Sequence, residues 1–314
     1  MDTGFDFARM MRPRALRNPL RPLRWPTACL LLMLLVLNGC QSVEVGPPLR
    51  VMSFNVRVPV DADGPDRWEL RREAMVRTIR EADPDLIGTQ ELVRGQGEFL
   101  AERLPQYDWF GRDRRGGRDD EQMAVFYRRD ALRLLESGHF WLSDTPEAVG
   151  SISWGHPYPR MVSWGLFERR ADRLRFYLFN THLPYRAEDE AARVRGAELI
   201  LRRLAELPPG VPVILVGDFN DVPGGAVHRA LAGTLRDAWT QAPLREGPEG
   251  TFHGFTGDAG NRIDWVLHRG LRVRRARTLD QPVDGRLPSD HFPVLVDFAP
   301  PASGRAEGDH DPPR

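Results

Sequence analysis

Three features of the 314-residue sequence predict an α/β (α+β) fold of two packed mixed β-sheets flanked by helices. Strand-like runs outnumber helical ones, they do not alternate strictly with helices, and no linker or repeat interrupts the chain from Arg50 to Phe298. Strict alternation would build a doubly wound sheet. A strand-rich chain with few helices packs sheet on sheet and leaves the helices outside.

In chain order, strands are predicted over residues 50–56, 85–89, 123–127, 161–168, 173–181, 211–216, 262–267 and 292–297. The clearest is the apolar run 213–217 between Pro212 and Pro223, whose length and lack of alternation suit a central strand covered on both faces. Two helices are expected. Around 68–82, Met75, Ile79 and Ala82 recur at helical spacing, and around 188–207 so do Val194, Ala197, Leu201 and Leu204. The second begins Glu188-Asp189-Glu190 and carries Arg202-Arg203 near its end, which complements the helix dipole.

The ends of the chain are of another kind. Six arginines between Arg9 and Arg24 precede the apolar stretch 28–37, too short to span a bilayer comfortably but suited to a signal segment. Leu37-Asn38-Gly39-Cys40 then resembles a bacterial lipoprotein processing site, which implies cleavage before Cys40, lipidation of its thiol and attachment to the cell envelope. Gln41 resembles residues that permit export to the outer membrane. Both cysteines, Cys29 and Cys40, lie in this segment, so the mature domain would hold no disulfide. The expected organisation is a signal peptide over 1–40, a tether over 41–49, one domain over 50–299 and a disordered tail over 300–314, rich in Pro, Gly and charge. A monomer is expected.

All 44 basic residues are arginines, a pattern of codon usage rather than function, and 44 acidic residues balance them. Without the first 40 residues, 38 arginines face 42 acids. Such a chain is no general attractor of nucleic acid.

Polar residues recur where the predicted strands run out: Asn55, Glu91, Glu121, His182, Asp218 with Asn220, Asp264, and Asp290 with His291. Ligand-binding residues gather at strand ends because loops converge there on a rigid sheet. Amides, carboxylates and imidazoles without a thiol suit Mg²⁺, or Mn²⁺, better than Zn²⁺. Each residue alone has a plain structural explanation, since Asp-Phe-Asn-Asp is also turn chemistry and a lone His is often a buried core residue. Their joint recurrence is not explained that way.

The segments MSFNVR, GTQE, FNTHL, GDFND, RIDWVL and SDHFPV, in this order, resemble the endonuclease/exonuclease/phosphatase superfamily over essentially the whole of 50–298. The resemblance implies a four-layer sandwich and hydrolysis of phosphoesters with a divalent metal. It makes Glu91 the principal Mg²⁺ ligand, with Asn55 and Asp290 close by. Asp218 would orient or deprotonate the attacking water, and Asn220 would hold that water or a phosphate oxygen. His291, fixed by Asp264, and His182, fixed by Glu121, would face the phosphorus as two acid–imidazole pairs. Arg160 falls where relatives place a cation near the phosphate.

These types answer a physical need, because a phosphoester's negative charge repels hydroxide and must be neutralised as charge builds in the transition state. The charged Gly-rich segment 111–121, the aromatics Phe140, Trp141, Trp154 and Tyr158, and 251–255 (TFHGF) are read as substrate-facing surface. A small-molecule or lipid head-group phosphoester is favoured as substrate. An extracellular nuclease is the alternative, since phosphate contacts would call for a basic face, and a non-catalytic binding lipoprotein is the second.

Overall fold

The structure is a computed structural model that describes residues 46–300. The signal segment with Cys40, the first residues of the tether and the tail beyond 300 lie outside the described residues. Among the described residues, no helix is long and apolar enough to cross a membrane.

The elements are β1 (Leu49–Asn55), α1 (Trp68–Ala82), β2 (Leu86–Gln90), α2 (Arg94–Arg103), β3 (Tyr107–Phe110), β4 (Val125–Arg128), β5 (Leu132–Trp141), β6 (Met161–Arg169), β7 (Arg175–His182) and α3 (Glu190–Ala205). There follow β8 (Val213–Asp218), α4 (Ala226–Ala232), β9 (Arg236–Asp237), α5 (Ala238–Gln241), β10 (Leu244–Glu246), β11 (Asp264–Arg269), β12 (Val273–Thr278) and β13 (Val294–Phe298). One sheet has the order β10-β12-β13-β1-β2-β4-β3, the other β5-β6-β7-β8-β11-β9. Both mix parallel and antiparallel pairs, and helices flank them. The predicted fold class is the observed one.

All eight predicted strands are present, displaced by one or two residues at their ends. Strand β5 escaped prediction because Glu136-Ser137-Gly138 and a register shift between Leu134 and Glu136 break its alternation. Its Phe140 and Trp141 are 3% and 2% exposed, so they are core and not the aromatic surface the sequence suggested. Helix α2 carries Gly95 and Gly97, and β12 alternates with arginines, which hid both.

The period of two along each strand explains where the polar residues end up. In β1, Leu49 and Val51 face the other sheet, while Met52 and Phe54 face Met75 and Ile79 of α1. In β8, Ile214 and Val216 face inward and Val213 and Leu215 face Leu199 and Ile200 of α3. Continuing the inward parity past the apolar residues gives Asn55 on β1, His182 on β7, Asp218 on β8 and, read from the other end, Asp264 on β11. The groove between the sheets is therefore apolar in the middle and becomes chemical at one end.

A layer of buried amides separates the two zones. Asn180 Nδ2 donates to the carbonyls of Thr89 at 2.8 Å and Ala124 at 2.9 Å, and Gln90 Nε2 donates to Asn180 Oδ1 at 2.7 Å. These two residues, Gln90 beside Glu91 in GTQE and Asn180 in FNTHL, clamp one sheet to the other. Gly88 lies in the same layer, where a Cβ would stand 2.3 Å from Val216 Cγ2 and 3.0 Å from the Asn180 amide. Overpacking of this kind costs about 1–3 kcal/mol, so Gly88→Ala should lower the urea midpoint accordingly. An unchanged midpoint would show that the sheets can part there without loss.

Candidate active site

Asp218 stands at the centre. Its Oδ2 accepts Asn55 Nδ2 at 3.0 Å and lies 3.5 Å from His182 Nε2 and 3.9 Å from His291 Nε2. Its Oδ1 accepts the backbone N–H of Asn220 at 3.0 Å. Asp218 and Asn220 thus form the local turn bond that their spacing permits, while both also line the pocket. Asn220 Nδ2 reaches the Leu183 carbonyl at 3.1 Å, and the residue is held at φ +49°. Glu91, just beyond β2, is likewise at φ +60°. Left-handed backbone at two non-glycine pocket residues is strain that the surrounding structure must hold in place.

Asn55 Nδ2 also donates to Glu91 Oε1 at 3.0 Å, and Glu91 Oε2 accepts Val58 N–H at 3.0 Å. Asn55 Oδ1 is taken by the Arg57 N–H at 3.0 Å. As placed, Asn55 bridges two carboxylates with its nitrogen, and its Oδ1, with two lone pairs, accepts one backbone N–H. Asp290 lies beside Ser289, whose hydroxyl ties this loop to the Asn55 carbonyl at 2.7 Å, and 3.7 Å from Arg57 Nε.

One of the two expected acid–imidazole pairs is present. His291 Nδ1 and Asp264 Oδ2 are 2.8 Å apart, and Thr251 Oγ1 accepts the Asp264 N–H at 3.1 Å. The other is absent: Glu121 Oε2 accepts Arg114 Nη1 at 2.8 Å, and His182 Nδ1 is buried with no hydrogen-bond partner among the described residues. A guanidinium on the same loop is a stronger partner for a carboxylate than a neutral ring. Arg160 lines the pocket 4% exposed, its Nη1 without a hydrogen bond.

The electrostatics divide the two histidines. Burial opposes charge on His291, but the carboxylate and hydrogen bond of Asp264 raise it to about 10. Burial and the guanidinia of Arg160 and Arg114 hold His182 well below its ordinary value, so it is neutral. Asp218 is raised to about 7 by burial and by Asp264, Glu121 to about 6 by burial and Glu91, and burial also raises Asp290. Burial works against charge on Glu91 too, yet the Val58 N–H and His291 hold it below its usual range.

In metal-free protein these shifts fix a sign. The contribution of Asp218 is lost as pH rises from 3.8 to about 7, and that of His291 is complete below 6.5 and lost as pH rises through about 10. His139, His156, His182, His253 and His268 are depressed by burial and work the other way up to the ordinary imidazole range. The melting temperature of metal-free protein should therefore fall between about pH 8 and about pH 9.5, where of these groups His291 alone still titrates. Added Mg²⁺ should restore more at the higher pH. A rising melting temperature over that window would contradict the assignment.

Glu91, His182 and Asp218 bring one ligand atom each within 4.8 Å of one another, as do Asp218, Asp264 and His291. Carboxyls raised against their own repulsion and a donor set dominated by oxygen fit a hard divalent cation. The pocket they line has a volume of about 790 Å³, with Tyr158, Tyr185 and Phe252 at its exposed rim. Arg57 was not singled out in the sequence, and Arg114 and Thr251 were read only as members of the substrate-facing segments 111–121 and 251–255. Arg57 and Arg114 are two among 44 arginines, and only the fold singles them out.

Comparison with known proteins agrees with this arrangement. A mannosyl-6-phosphatase of Bacteroides thetaiotaomicron is 33% identical, with 80% of this chain and 99% of that chain covered at a TM-score of 0.74. Human nocturnin is 25% identical over 83% of this chain and 67% of its own length. An uncharacterized protein of Acanthamoeba polyphaga mimivirus is 29% identical over 49% of this chain and 59% of its own length, so the chain spans little more than half of that relative. Residues 52–291 match the Endonuclease/Exonuclease/phosphatase family, most of the described domain and all of the pocket's acids and imidazoles, and the chain belongs to that family.

Proposed function

We propose that the protein is a Mg²⁺-dependent phosphoesterase, with Mn²⁺ as an alternative ion, that hydrolyses a small phosphorylated molecule by in-line attack of water. The observation that carries this reading is the convergence on a single pocket of one imidazolium, one raised carboxylate and one buried guanidinium whose Nη1 makes no hydrogen bond among the described residues. Asp218 holds the water and accepts its proton, for which a value near neutrality suits it better than an ordinary carboxylate. His291, kept charged by Asp264, and Arg160 Nη1 donate to the phosphate oxygens as negative charge builds there. Asn220 lies beside Asp218 to fix the water's second proton. Neutral His182 limits repulsion between the cations. Glu91 and Asp290, with Asp218 and His182 adjacent, would hold the ion, which neutralises phosphate charge when bound.

A phosphomonoester of a sugar or similar alcohol is the substrate we favour. The similarity to a mannosyl-6-phosphatase supports it, as does a pocket of small-molecule size with an aromatic rim. A nuclease is less favoured, because Arg57 and Arg114 are already paired with acids and form no open basic track. Lipidation at Cys40 and a place on the bacterial envelope complete the proposal. The test is phosphate release from mannose 6-phosphate and glucose 6-phosphate, with bis(p-nitrophenyl) phosphate as the diester control. Turnover should need Mg²⁺, cease in EDTA and return on adding Mg²⁺. Metal-independent turnover, or none with any ester, would refute the reading.

A further inference from the structure

One wall of the pocket touches no reacting atom in the proposed hydrolysis. It consists of Arg114, Glu121 and Tyr158. Arg114 is pinned: its carbonyl accepts Trp141 Nε1 at 2.6 Å, its Nε lies 2.8 Å from Asp120 Oδ1, and its guanidinium stands 4.7 Å from the Tyr158 ring centroid. One N–H of Nη1 donates to Glu121 Oε2 at 2.8 Å and buried Nε faces Asp120, which leaves the second Nη1 proton and both on Nη2 free of a hydrogen bond among the described residues. The Tyr158 hydroxyl and Glu121 Oε1 make no hydrogen bond among the described residues.

The wall thus presents spare N–H donors, a carboxylate acceptor and an aromatic face in one patch. A lone guanidinium would select a second phosphate and a lone carboxylate would select a cation, but here the guanidinium is already paired with Glu121 and Asp120. A neutral group with adjacent hydroxyls satisfies both, because every hydroxyl donates and accepts. Its C–H face can lie on the ring of Tyr158. We propose that Arg114, Glu121 and Tyr158 form the subsite that reads the hydroxyls of a phosphorylated polyol, and so set specificity for the alcohol half of the ester. The proposal rests on the phosphoesterase reading above.

The test uses the full chain and two esters with the same ring–CH₂–O–phosphate skeleton, mannose 6-phosphate and cyclohexylmethyl phosphate. The readout is the ratio of their kcat/KM values. The wild type should prefer the sugar ester, and Arg114→Met should lower the ratio roughly 10–100-fold, the loss of one or two charge-assisted hydrogen bonds. Tyr158→Leu, at an exposed position that the fold does not need, should lower it about 3–10-fold. A wild-type ratio near one, or equal losses on both esters in both variants, overturns the subsite and leaves hydrolysis standing. Turnover of neither ester by a wild type that hydrolyses bis(p-nitrophenyl) phosphate overturns the subsite alone, and turnover of none of the three overturns both.

Discussion

Replacing Asp218 by Asn is expected to lower kcat roughly 10²–10⁴-fold, the range for losing a positioned proton acceptor. The substitution keeps size and the Asn220 N–H contact, which the amide oxygen can still accept. At the other position an N–H₂ group would meet Asn55 Nδ2, now donor against donor, and would face His291 at 3.9 Å without attracting it. The rising limb of the pH–rate profile should disappear with the carboxylate. Because a raised, repelled acid has been removed, the metal-free variant should melt no lower than the wild type. Turnover within about threefold of wild type would remove Asp218 from the proton-transfer step.

The second large effect concerns Arg71, a residue of α1 that is 1% exposed. Its guanidinium donates to four backbone carbonyls: Asp66 at 2.9 Å, Val56 at 2.8 Å, Pro288 at 2.8 Å and Arg57 at 2.7 Å. It also packs against the rings of Trp68 and Phe255. One cation thereby ties the segment after Asn55 to the segment before Asp290 and to the 251–255 loop. Burial lowers its pKa to about 10, a cost that removal would return in part. Against that, Arg71→Met would strand buried carbonyls at about 1–3 kcal/mol each, so a net loss of about 3–5 kcal/mol is expected in denaturant unfolding. Mg²⁺ affinity measured by calorimetry should fall as the loops bearing Glu91's neighbours and Asp290 loosen. Arg71→Lys should lie between, since an ammonium lacks the planar fork that reaches several carbonyls. Stability within about 1 kcal/mol of wild type in Arg71→Met would show that the loops hold themselves.

Much of this site could be read from the sequence because the relevant residues sit at the inner parity of buried strands. Val51 predicts the direction of Asn55, and Val216 that of Asp218, once the strands are recognised. Asp264 beside His291 was also legible. The partner of Glu121 was not, because the pairing of a carboxylate is decided by which cation the loop folds back, and Arg114 is seven residues away on that loop. Nor could sequence distinguish the charge states of the two histidines, which depend on Asp264 touching one ring and two guanidinia approaching the other. Asn180 and Gln90, which lie within the family-like segments FNTHL and GTQE, form a cross-sheet clamp one layer below the site. Arg71 gave no signal at all: a charged residue in an amphipathic helix reads as solvent-facing unless the loops it binds are known.

The central claim is that water held by Asp218 attacks phosphorus directly, and the isotope distribution of a single turnover tests it. With enzyme in excess over mannose 6-phosphate in H₂¹⁸O and Mg²⁺, the released phosphate should carry one ¹⁸O from the first turnover. Unlabelled phosphate with ¹⁸O in the mannose would mean cleavage at carbon, and a phosphoryl-Asp218 peptide trapped by borohydride during the turnover would make the carboxylate the nucleophile; either result would contradict the account.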